Sequence, residues 1–233
     1  MAIIPQLPLF AWDQGEALGD LDRLRLALEY LPDGPLVERL EVLRGHGRDD
    51  YPVRAIWNSV LAGIVFQHAS IESLRRELGR NGQLRYLCGL SGVPSAAAYT
   101  RFLHGVVRHG EEIDAMFERM VAELATLLPG FGQRGALDGK ALPSFAKHKA
   151  SSDVPDGRRD TDGDYGKKSY KGKHKDSTAW EKVVRWFGYR LHLVVDTVYD
   201  LSLAFAVTKA STVDLPGGKA LLQQMDERQA LAA

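Results

Sequence analysis

The sequence contains few of the residues that build covalent cross-links, metal clusters or membrane-embedded segments. Cys88 is its single cysteine, which excludes an internal disulfide and a cysteine-based zinc cluster. No apolar run approaches the roughly 20 residues that a membrane-spanning helix needs. Residues 1–20 lack the basic segment and the small-residue cleavage site of a signal peptide. We therefore expect a cytoplasmic protein with no membrane partner, in which Cys88 is a small core residue.

Common catalytic motifs are also missing. The seven histidines show no HExxH motif and no paired spacing, and no GxxxxGK phosphate loop occurs. His192 alternates with Val194 in a segment of strand-like composition, which favours a packing role over metal ligation. These absences leave zinc hydrolases and P-loop nucleotide-binding proteins without sequence support.

The chain has no net charge, with 30 basic and 30 acidic side chains, but the charges are unevenly distributed. Residues 1–50 contain 5 basic and 10 acidic side chains, whereas Tyr165–Arg190 contains 8 basic and 2 acidic ones. A local basic density of this kind can neutralise phosphates and release counterions. It predicts a nucleic-acid contact in Tyr165–Arg190, and the alternative interpretation is a solvated, disordered loop.

The first 130 residues have helical periodicity almost throughout. A 45% hydrophobic content in 233 residues can fill the core of one large or two small domains. Ser70 and Ser95 are predicted N-caps, and the segment Tyr51–His68 is apolar around most of its circumference, so we expect it to be the central helix. The predicted helices are Leu18–Leu31, Leu36–Leu43, Tyr51–His68, Ile71–Leu78, Ala96–His109 and Glu111–Leu128.

After Phe131 the composition changes to that of strands and loops, so the expected fold class is α+β. We expect a strand at Gly135–Gly139, an irregular basic insertion at about 145–180, an antiparallel hairpin formed by Arg185–Asp196 and Leu201–Thr208, and a helix at Lys219–Ala230. The insertion is predicted to be irregular because Phe145–Thr178 has no sustained apolar period.

Three segments carry the most specific pattern in the sequence. The first is Ala136–Lys140 (ALDGK), the second runs from Arg158 (RRDTDGDYGKK) through Trp180 to Asp196, and the third is Leu203–Ser211. Together they resemble bacterial insertion-sequence transposases of the DDE type, whose catalytic domain has the ribonuclease-H-like fold. Upstream, residues 53–90 and 93–103 resemble the helical amino-terminal domain of the same enzymes.

The resemblance implies a fold and a chemistry. It implies a helical DNA-binding domain at 1–130 and an incomplete ribonuclease-H-like domain at 131–233, with a mixed sheet whose first three strands are antiparallel neighbours. In such enzymes three carboxylates hold two Mg²⁺ ions, one activating a water or 3′-hydroxyl and the other stabilising the leaving oxygen. Asp138 matches the first carboxylate and is expected to be a catalytic residue and a metal ligand. The alternative is an ordinary Asp-Gly turn.

The sequence also departs from the family pattern. The family's second Asp, in a pattern resembling Ala-Asp-Lys-Gly-Tyr-Asp, and its Glu are expected beyond Ala233. Asp196 and Asp200 are expected to be structural, and Asp214 to have a supporting role at most. Without a fourth strand, the strand of Asp138 is expected to form an exposed edge. Three hypotheses follow: a transposase fragment that needs its second half or a homo-oligomer, a catalytically inactive DNA-binding protein or inhibitor, and a decayed remnant.

The implied partner is double-stranded DNA, both the transposon's terminal inverted repeats and the target. In the helical part, a helix in the major groove and arginines on phosphates are expected, with candidates Arg75, Arg76, Arg80, Arg85, Arg101 and Arg108. In the basic stretch, contacts to the DNA backbone are expected from Lys167, Lys168, Lys171, Lys173, Lys175 and Arg185, with Tyr165, Tyr170 and Trp180 interleaved.

Overall fold

The computed structural model describes residues 19–45, 50–144, 146–148, 159–160, 162–174 and 178–232. The chain forms two compact units, Met1–Ala122 and Glu123–Ala233. Helices and an antiparallel sheet both contribute, so the expected α+β class is confirmed. No helix among the described residues combines the length and the apolar character required to cross a membrane.

Seven helices precede the first strand in the described part of the chain. They are α1 Asp20–Tyr30, α2 Gly34–Arg44, α3 Val53–Val65, α4 Ile71–Arg80, α5 Gly82–Leu87, α6 Ala96–Arg108 and α7 Gly110–Leu127. Six of them overlap the six predicted segments. The short α5 was not predicted, because Asn81 and Gly82 are typical of a chain break. Asn81 instead caps α5, since its Oδ1 accepts a hydrogen bond from the Leu84 N–H at 3.0 Å.

The two predicted serine caps are confirmed. Ser70 Oγ accepts from the Ser73 N–H at 3.2 Å, and Ser95 Oγ accepts from the Ala98 N–H at 3.2 Å. Each hydroxyl satisfies one of the backbone donors that a helix start leaves unpaired. The starts of α4 and α6 are thus determined by local chemistry that the sequence alone displays.

The core of the first unit is built around α3, as predicted for the central helix. Seven of its thirteen residues are buried, among them Trp57 and Ser59. Ser59 Oγ lies 2.7 Å from the hydroxyl of Tyr99, which is itself fully buried on α6. Cys88 is fully buried in the same core, as predicted, and burial raises the pKa of its thiol to about 12. The thiol is therefore protonated and inert at neutral pH.

A buried carboxylate fixes α3 to the loop before α2. Asp33 is only 4% exposed, and both of its oxygens are used: Oδ2 accepts from Trp57 Nε1 at 2.6 Å and Oδ1 accepts from Arg54 Nη1 at 2.6 Å. A buried carboxylate is tolerated because both oxygens have donors, one of them cationic. This pair of bonds orients the indole that packs at the centre of the helical core.

We predict that Asp33→Ala lowers the free energy of unfolding by about 2 to 3 kcal/mol, because the buried Trp57 N–H loses its acceptor. The measurement is urea denaturation followed by tryptophan fluorescence. The control is Asp22→Ala, which breaks a half-exposed pair with Arg25 and should cost less than about 1 kcal/mol. Equal losses in the two variants would contradict the prediction.

The second unit contains six strands and one helix among its described residues. They are β1 Gly135–Pro143, β2 Lys147–His148, β3 Arg159–Asp160, β4 Asp164–Lys173, β5 Ala179–Asp196, β6 Ser202–Lys209 and α8 Asp214–Ala232. The short β2 and β3 pair with each other in parallel. The main sheet has four strands, and β5 pairs antiparallel with β1, β4 and β6. The sheet is antiparallel throughout the described residues, in contrast to the mixed sheet that the resemblance implied.

The predicted hairpin between the two carboxyl-terminal strands is confirmed. Tyr189–Val195 of β5 pairs with Ser202–Lys209 of β6, with a bulge between Val194 and Val195. Asp200 in the connecting turn has a φ of 55°, the left-handed conformation that Asp tolerates better than most residues.

The prediction of an irregular basic insertion is wrong for residues 164–173. This segment is strand β4, paired with Ala179–Gly188 of β5 over ten residue pairs. The sequence shows no apolar period there because most of β4 is exposed, so its backbone hydrogen bonds, rather than a buried face, hold the strand. Residues 145, 149–158, 161 and 175–177 of the predicted insertion lie outside the described residues.

Helix α8 begins at Asp214, five residues before the predicted start. Gly217 and Gly218 disfavour a helix by intrinsic propensity. Both, however, face the sheet so closely that a Cβ at Gly217 would lie 2.4 Å from the His192 ring, and one at Gly218 would lie 2.0 Å from Leu137 Cδ2. Close packing of α8 on the sheet thus requires glycine at 217 and 218, and these glycines weaken the helical pattern of the sequence.

Asp196 ends β5 as a buried hydrogen-bond acceptor. Its Oδ1 accepts from the N–H groups of Val198 at 2.8 Å and Tyr199 at 2.9 Å, and its Oδ2 accepts from the Gly132 N–H at 2.7 Å. Burial alone would raise the pKa of this carboxyl, but the three backbone donors outweigh it and hold the pKa below its ordinary value. Asp196 therefore links the turn after β5 to the segment before β1 by hydrogen bonds. Its role in the fold is structural.

We predict that the pKa of Asp196 makes the second unit acid-sensitive. Because the folded-state pKa is lowered, the ionised form stabilises the fold above the unfolded-state pKa of about 4, and this stabilisation is lost as pH falls through the folded-state value. Thermal unfolding from pH 7 to pH 3 tests this. The Asp196→Asn variant should be less stable than wild type at pH 7 and should lose less on acidification. An identical pH profile for both proteins would contradict the prediction.

Candidate nucleic-acid interface around Asp138

Asp138 lies in the middle of β1, on the side of the sheet that α8 leaves open. It pairs with Leu193 of β5, which in turn pairs with Phe205 of β6. The neighbouring Leu137 and Gly139 contact α8, and side chains alternate along a strand, so Asp138 points to the opposite face. Its side chain is exposed, and Oδ1 accepts from the Gly139 N–H at 2.8 Å. The carboxylate is thus carried by a strand of the sheet, not by a loop.

The strand of Asp138 forms an edge of the sheet. Within the described residues β1 pairs with β5 and with no other strand. The carbonyl of Gly139 accepts a hydrogen bond from Lys168 Nζ at 3.1 Å. An open groove of about 350 Å³ runs beside this edge, bordered by Asp138, Gly139, Lys140, Ala141, Lys168, Tyr170, Val184 and Trp186. Asp138 and Lys168 therefore share one solvent-accessible site, although 30 positions separate them in the sequence.

A buried polar cluster supports β1 from the α8 side. Arg190 is 5% exposed, its Nη1 donates to Asp214 Oδ1 at 2.6 Å, and its guanidinium lies 5.1 Å from the centre of the Trp186 ring. The Asp214 carboxylate lies directly over Gly139, where a Cβ would be only 2.2 Å from Oδ1. Asp214 thus joins α8 to β5 through an ion pair and packs over β1 at Gly139.

His192 is fully buried beside this ion pair. Its Nε2 lies 2.9 Å from Thr208 Oγ1, and its Nδ1 has no partner among the described residues. Burial lowers the pKa of His192, Asp214 raises it and Arg190 lowers it, with the balance below the ordinary value. The imidazole is therefore neutral at pH 7, and its position between strand and helix is that of a packing residue.

The described residues do not form a complete metal site. They contain no group of three or more His, Cys, Asp or Glu side chains arranged to hold a metal ion. Two Mg²⁺ ions require several oxygen ligands, and Asp138 alone supplies two oxygens. Among the described residues, Asp138 therefore provides part of the ligand set of a two-ion site.

The most basic part of the structure is a two-stranded ribbon, here called the basic ribbon, formed by β4 and residues 179–188 of β5. Because side chains alternate along each strand, its charges fall on two faces. The first face carries exposed Lys167, Lys171, Lys173 and Arg185, with Lys167 directly opposite Arg185. Exposed Tyr165 lies at the end of this face, with its ring against Phe187. Glu181, opposite Lys171, is the acidic residue of this face. The second face carries Lys168, Tyr170, Trp180 and Lys182.

The structure separates the predicted DNA-binding lysines. Lys167, Lys171 and Lys173 share the first face with Arg185, whereas Lys168 projects from the second face towards β1. Lys175 lies outside the described residues. Lys182 was not among the predicted residues, yet it is exposed and lies opposite Tyr170. The charge density of Tyr165–Arg190 includes Lys182, but only the strand register shows which face of the ribbon it occupies.

The candidate arginines of the helical unit differ in their surroundings. Arg75 donates to the Pro94 carbonyl and to Glu72, Arg80 pairs with Glu77, and Arg85 donates to the Leu78 carbonyl. These three are therefore engaged within the protein. The candidates that are exposed and have no side-chain partner among the described residues are Arg76, Arg101 and Arg108.

Comparisons with protein-family models, with curated proteins and with solved structures found no match for this chain.

Proposed function

We propose that this chain is the DNA-binding and first-carboxylate portion of a DDE-type transposase of a bacterial insertion sequence. The observation that carries the proposal is the exposed basic face of the ribbon, which belongs to the same sheet as the accessible carboxylate of Asp138. A phosphate-binding surface beside a carboxylate that can bind a metal is the combination that metal-dependent cutting of DNA requires.

The strand order supports a ribonuclease-H-like assignment for the second unit. In chain order β1, β5 and β6 are three antiparallel neighbours with β5 in the middle, and a helix follows them. This is the arrangement expected for the first three strands of that fold, with the first carboxylate on the first strand. The basic ribbon is then an extension of the second strand and of the segment before it.

The shape of the ribbon suits duplex DNA. A two-stranded antiparallel ribbon fits into the major groove of B-DNA, which is about 12 Å wide. Lysines and arginine on one face contact phosphates without reading sequence. We assign Lys167, Lys171, Lys173 and Arg185 to this contact, and Arg76 and Arg101 to a second contact from the helical unit. The partners are the terminal inverted repeats and the target DNA, in the cytoplasm at the nucleoid.

The catalytic part of the proposal requires further carboxylates beside Asp138, and the described residues place none there. In a complete site two Mg²⁺ ions provide the activated oxygen nucleophile and stabilise the leaving oxygen. Asp138 would hold them together with an Asp and a Glu from a second half or another subunit. The alternative function, a catalytically inactive DNA-binding protein or inhibitor, uses the same ribbon and needs no second half. The buried cores of both units favour either function over an unstable, decayed remnant.

We predict that the chain binds duplex DNA with a strong dependence on salt. Replacing Lys167, Lys171 and Lys173 together by Gln should weaken binding at least tenfold at low salt. It should also make the slope of log K against log salt shallower by about 2 to 3, since each phosphate contact contributes about 0.9. Fluorescence anisotropy of a labelled duplex measures both quantities.

A matched control removes the same charge elsewhere. Arg23, Arg134 and Lys219 are exposed and lie outside the ribbon, and replacing them by Gln should change the affinity less than twofold. A flat salt response of the wild-type protein, or equal losses in the two triple variants, would overturn the assignment.

We further predict that the chain with Mg²⁺ and DNA carrying transposon ends retards the DNA but leaves it uncut, because one carboxylate does not hold two ions. Gel electrophoresis under native and denaturing conditions distinguishes retardation from cleavage. Cleavage that Asp138→Ala abolishes would show that the chain, alone or as an oligomer, completes the site. Intact DNA with no retardation would remove support from both proposed functions.

A further inference from the structure

The two faces of the basic ribbon differ in where their aromatic rings lie: Tyr165 of the first face is at the end of the ribbon, whereas the rings of the second face lie among its lysines. The second face presents two partly exposed aromatic rings, Tyr170 at 45% and Trp180 at 37% exposure. Two lysines flank them, because Lys182 lies opposite Tyr170 and Lys168 lies two residues before it. We call this surface, made of Lys168, Tyr170, Trp180 and Lys182, the aromatic face. Exposed aromatic rings beside positive charges can stack with nucleotide bases while the cations contact phosphates.

Trp180 lies flat on the ribbon. Its partner across the strands is Gly172, and a Cβ at that glycine would lie 2.6 Å from Cε2, 2.6 Å from Cζ2 and 2.7 Å from Nε1 of the indole. Three ring atoms at nearly equal distance from one point mean that the plane of the indole lies across the β4 backbone. One side of the ring therefore covers Gly172. The His174 ring lies 6.5 Å from the indole at an angle of 52°, and the indole keeps an exposed surface.

The ribbon contains a second Gly–Trp pair that shows what a purely structural indole looks like here. Trp186 lies over Gly166 in the same way, but it is only 8% exposed. Its Nε1 donates to the Tyr189 carbonyl at 2.9 Å, and Arg190 lies against its ring. Trp180 has no hydrogen-bond partner for its Nε1 in the described part of the chain. Both tryptophans lie over a glycine of β4, but Trp180 is far more exposed than Trp186. Packing over a glycine therefore does not explain why the Trp180 indole is exposed.

The aromatic face leads to the groove of Asp138. Tyr170 and Trp180 occupy diagonal positions on adjacent strands, a distance that aromatic side chains can bridge. Lys168 Nζ lies 5.8 Å from the centre of the Tyr170 ring and also reaches the Gly139 carbonyl. Tyr170 and Lys168 both border the groove beside Asp138. Tyr170 and Lys168 thus connect the aromatic face to the groove that Asp138 also borders.

We propose that the aromatic face binds unpaired nucleotides of a DNA strand and directs that strand towards the groove that Asp138 borders. Bases stack on the exposed surfaces of Trp180 and Tyr170, and Lys168 and Lys182 neutralise the phosphates between them. Base faces are accessible only in unpaired nucleotides, because a duplex stacks them on one another, and alternating aromatic and basic side chains are the surface that single strands bind. The inference rests on the proposed function, since it requires that the ribbon binds DNA, but it assigns a different DNA structure to each face.

The test compares a fluorescein-labelled oligothymidylate with a duplex of equal length, both measured by fluorescence anisotropy. Trp180→Ala should weaken binding of the oligothymidylate about tenfold, the effect of losing one stacked base, and should change duplex binding less than twofold. Trp180→Phe keeps an aromatic ring and should retain most of the affinity. Val183→Ala is the matched control, because Val183 is 42% exposed on the opposite face. Circular dichroism and thermal unfolding of each variant establish that the ribbon is intact.

The possible outcomes separate this inference from the proposed function. Unchanged oligothymidylate binding by Trp180→Ala, or equal losses in Trp180→Ala and Trp180→Phe, would overturn the stacking role while the lysine-dependent duplex binding stands. A tenfold loss on the duplex as well would overturn the division between the two faces. If the wild-type protein binds neither DNA, the proposed function fails and this inference fails with it.

Discussion

The hydrogen bonding of β5 is the constraint on which the rest of the second unit depends. This one strand of 18 residues pairs with β1 and β6 over its second half and with β4 over its first half. Backbone pairing is directional, so the register of β5 determines at once where Asp138 lies and which ribbon residues share a face. The candidate site is therefore a consequence of strand register more than of any side-chain contact.

A second constraint comes from the contact between α8 and the sheet. Gly139, Gly217 and Gly218 leave no space for a Cβ, so helix and strands approach more closely than larger residues would allow. At the edge of this contact, Asp214 neutralises the buried Arg190. The guanidinium is buried and the carboxylate is partly exposed, so the pair compensates the desolvation of Arg190. It joins α8 to β5, with Asp214 over Gly139 of the strand that carries Asp138.

The two faces of the basic ribbon connect the proposals. A ribbon that is exposed on both sides can contact DNA on both, and in this protein the two sides differ in composition. The cations of the first face suit the backbone of a duplex, whereas rings that lie among cations suit unpaired bases. In the two proposals the first face contacts duplex DNA and the second contacts unpaired nucleotides beside the groove of Asp138. The same ribbon would serve a DNA-binding protein without catalysis.

Sequence alone determined the helical segments, two serine caps, the buried Cys88 and the β5–β6 hairpin, because these follow from local chemistry or from a strong apolar period. It also singled out Asp138 and the basic stretch. Tertiary structure decided that residues 164–173 form a strand, since only pairing with β5 stabilises a segment with little buried surface. It alone placed Lys168 on the opposite face from Lys167, and Trp180 beside Tyr170. Which side chains meet across strands depends on register, and register is a property of long-range backbone hydrogen bonds that no local pattern contains.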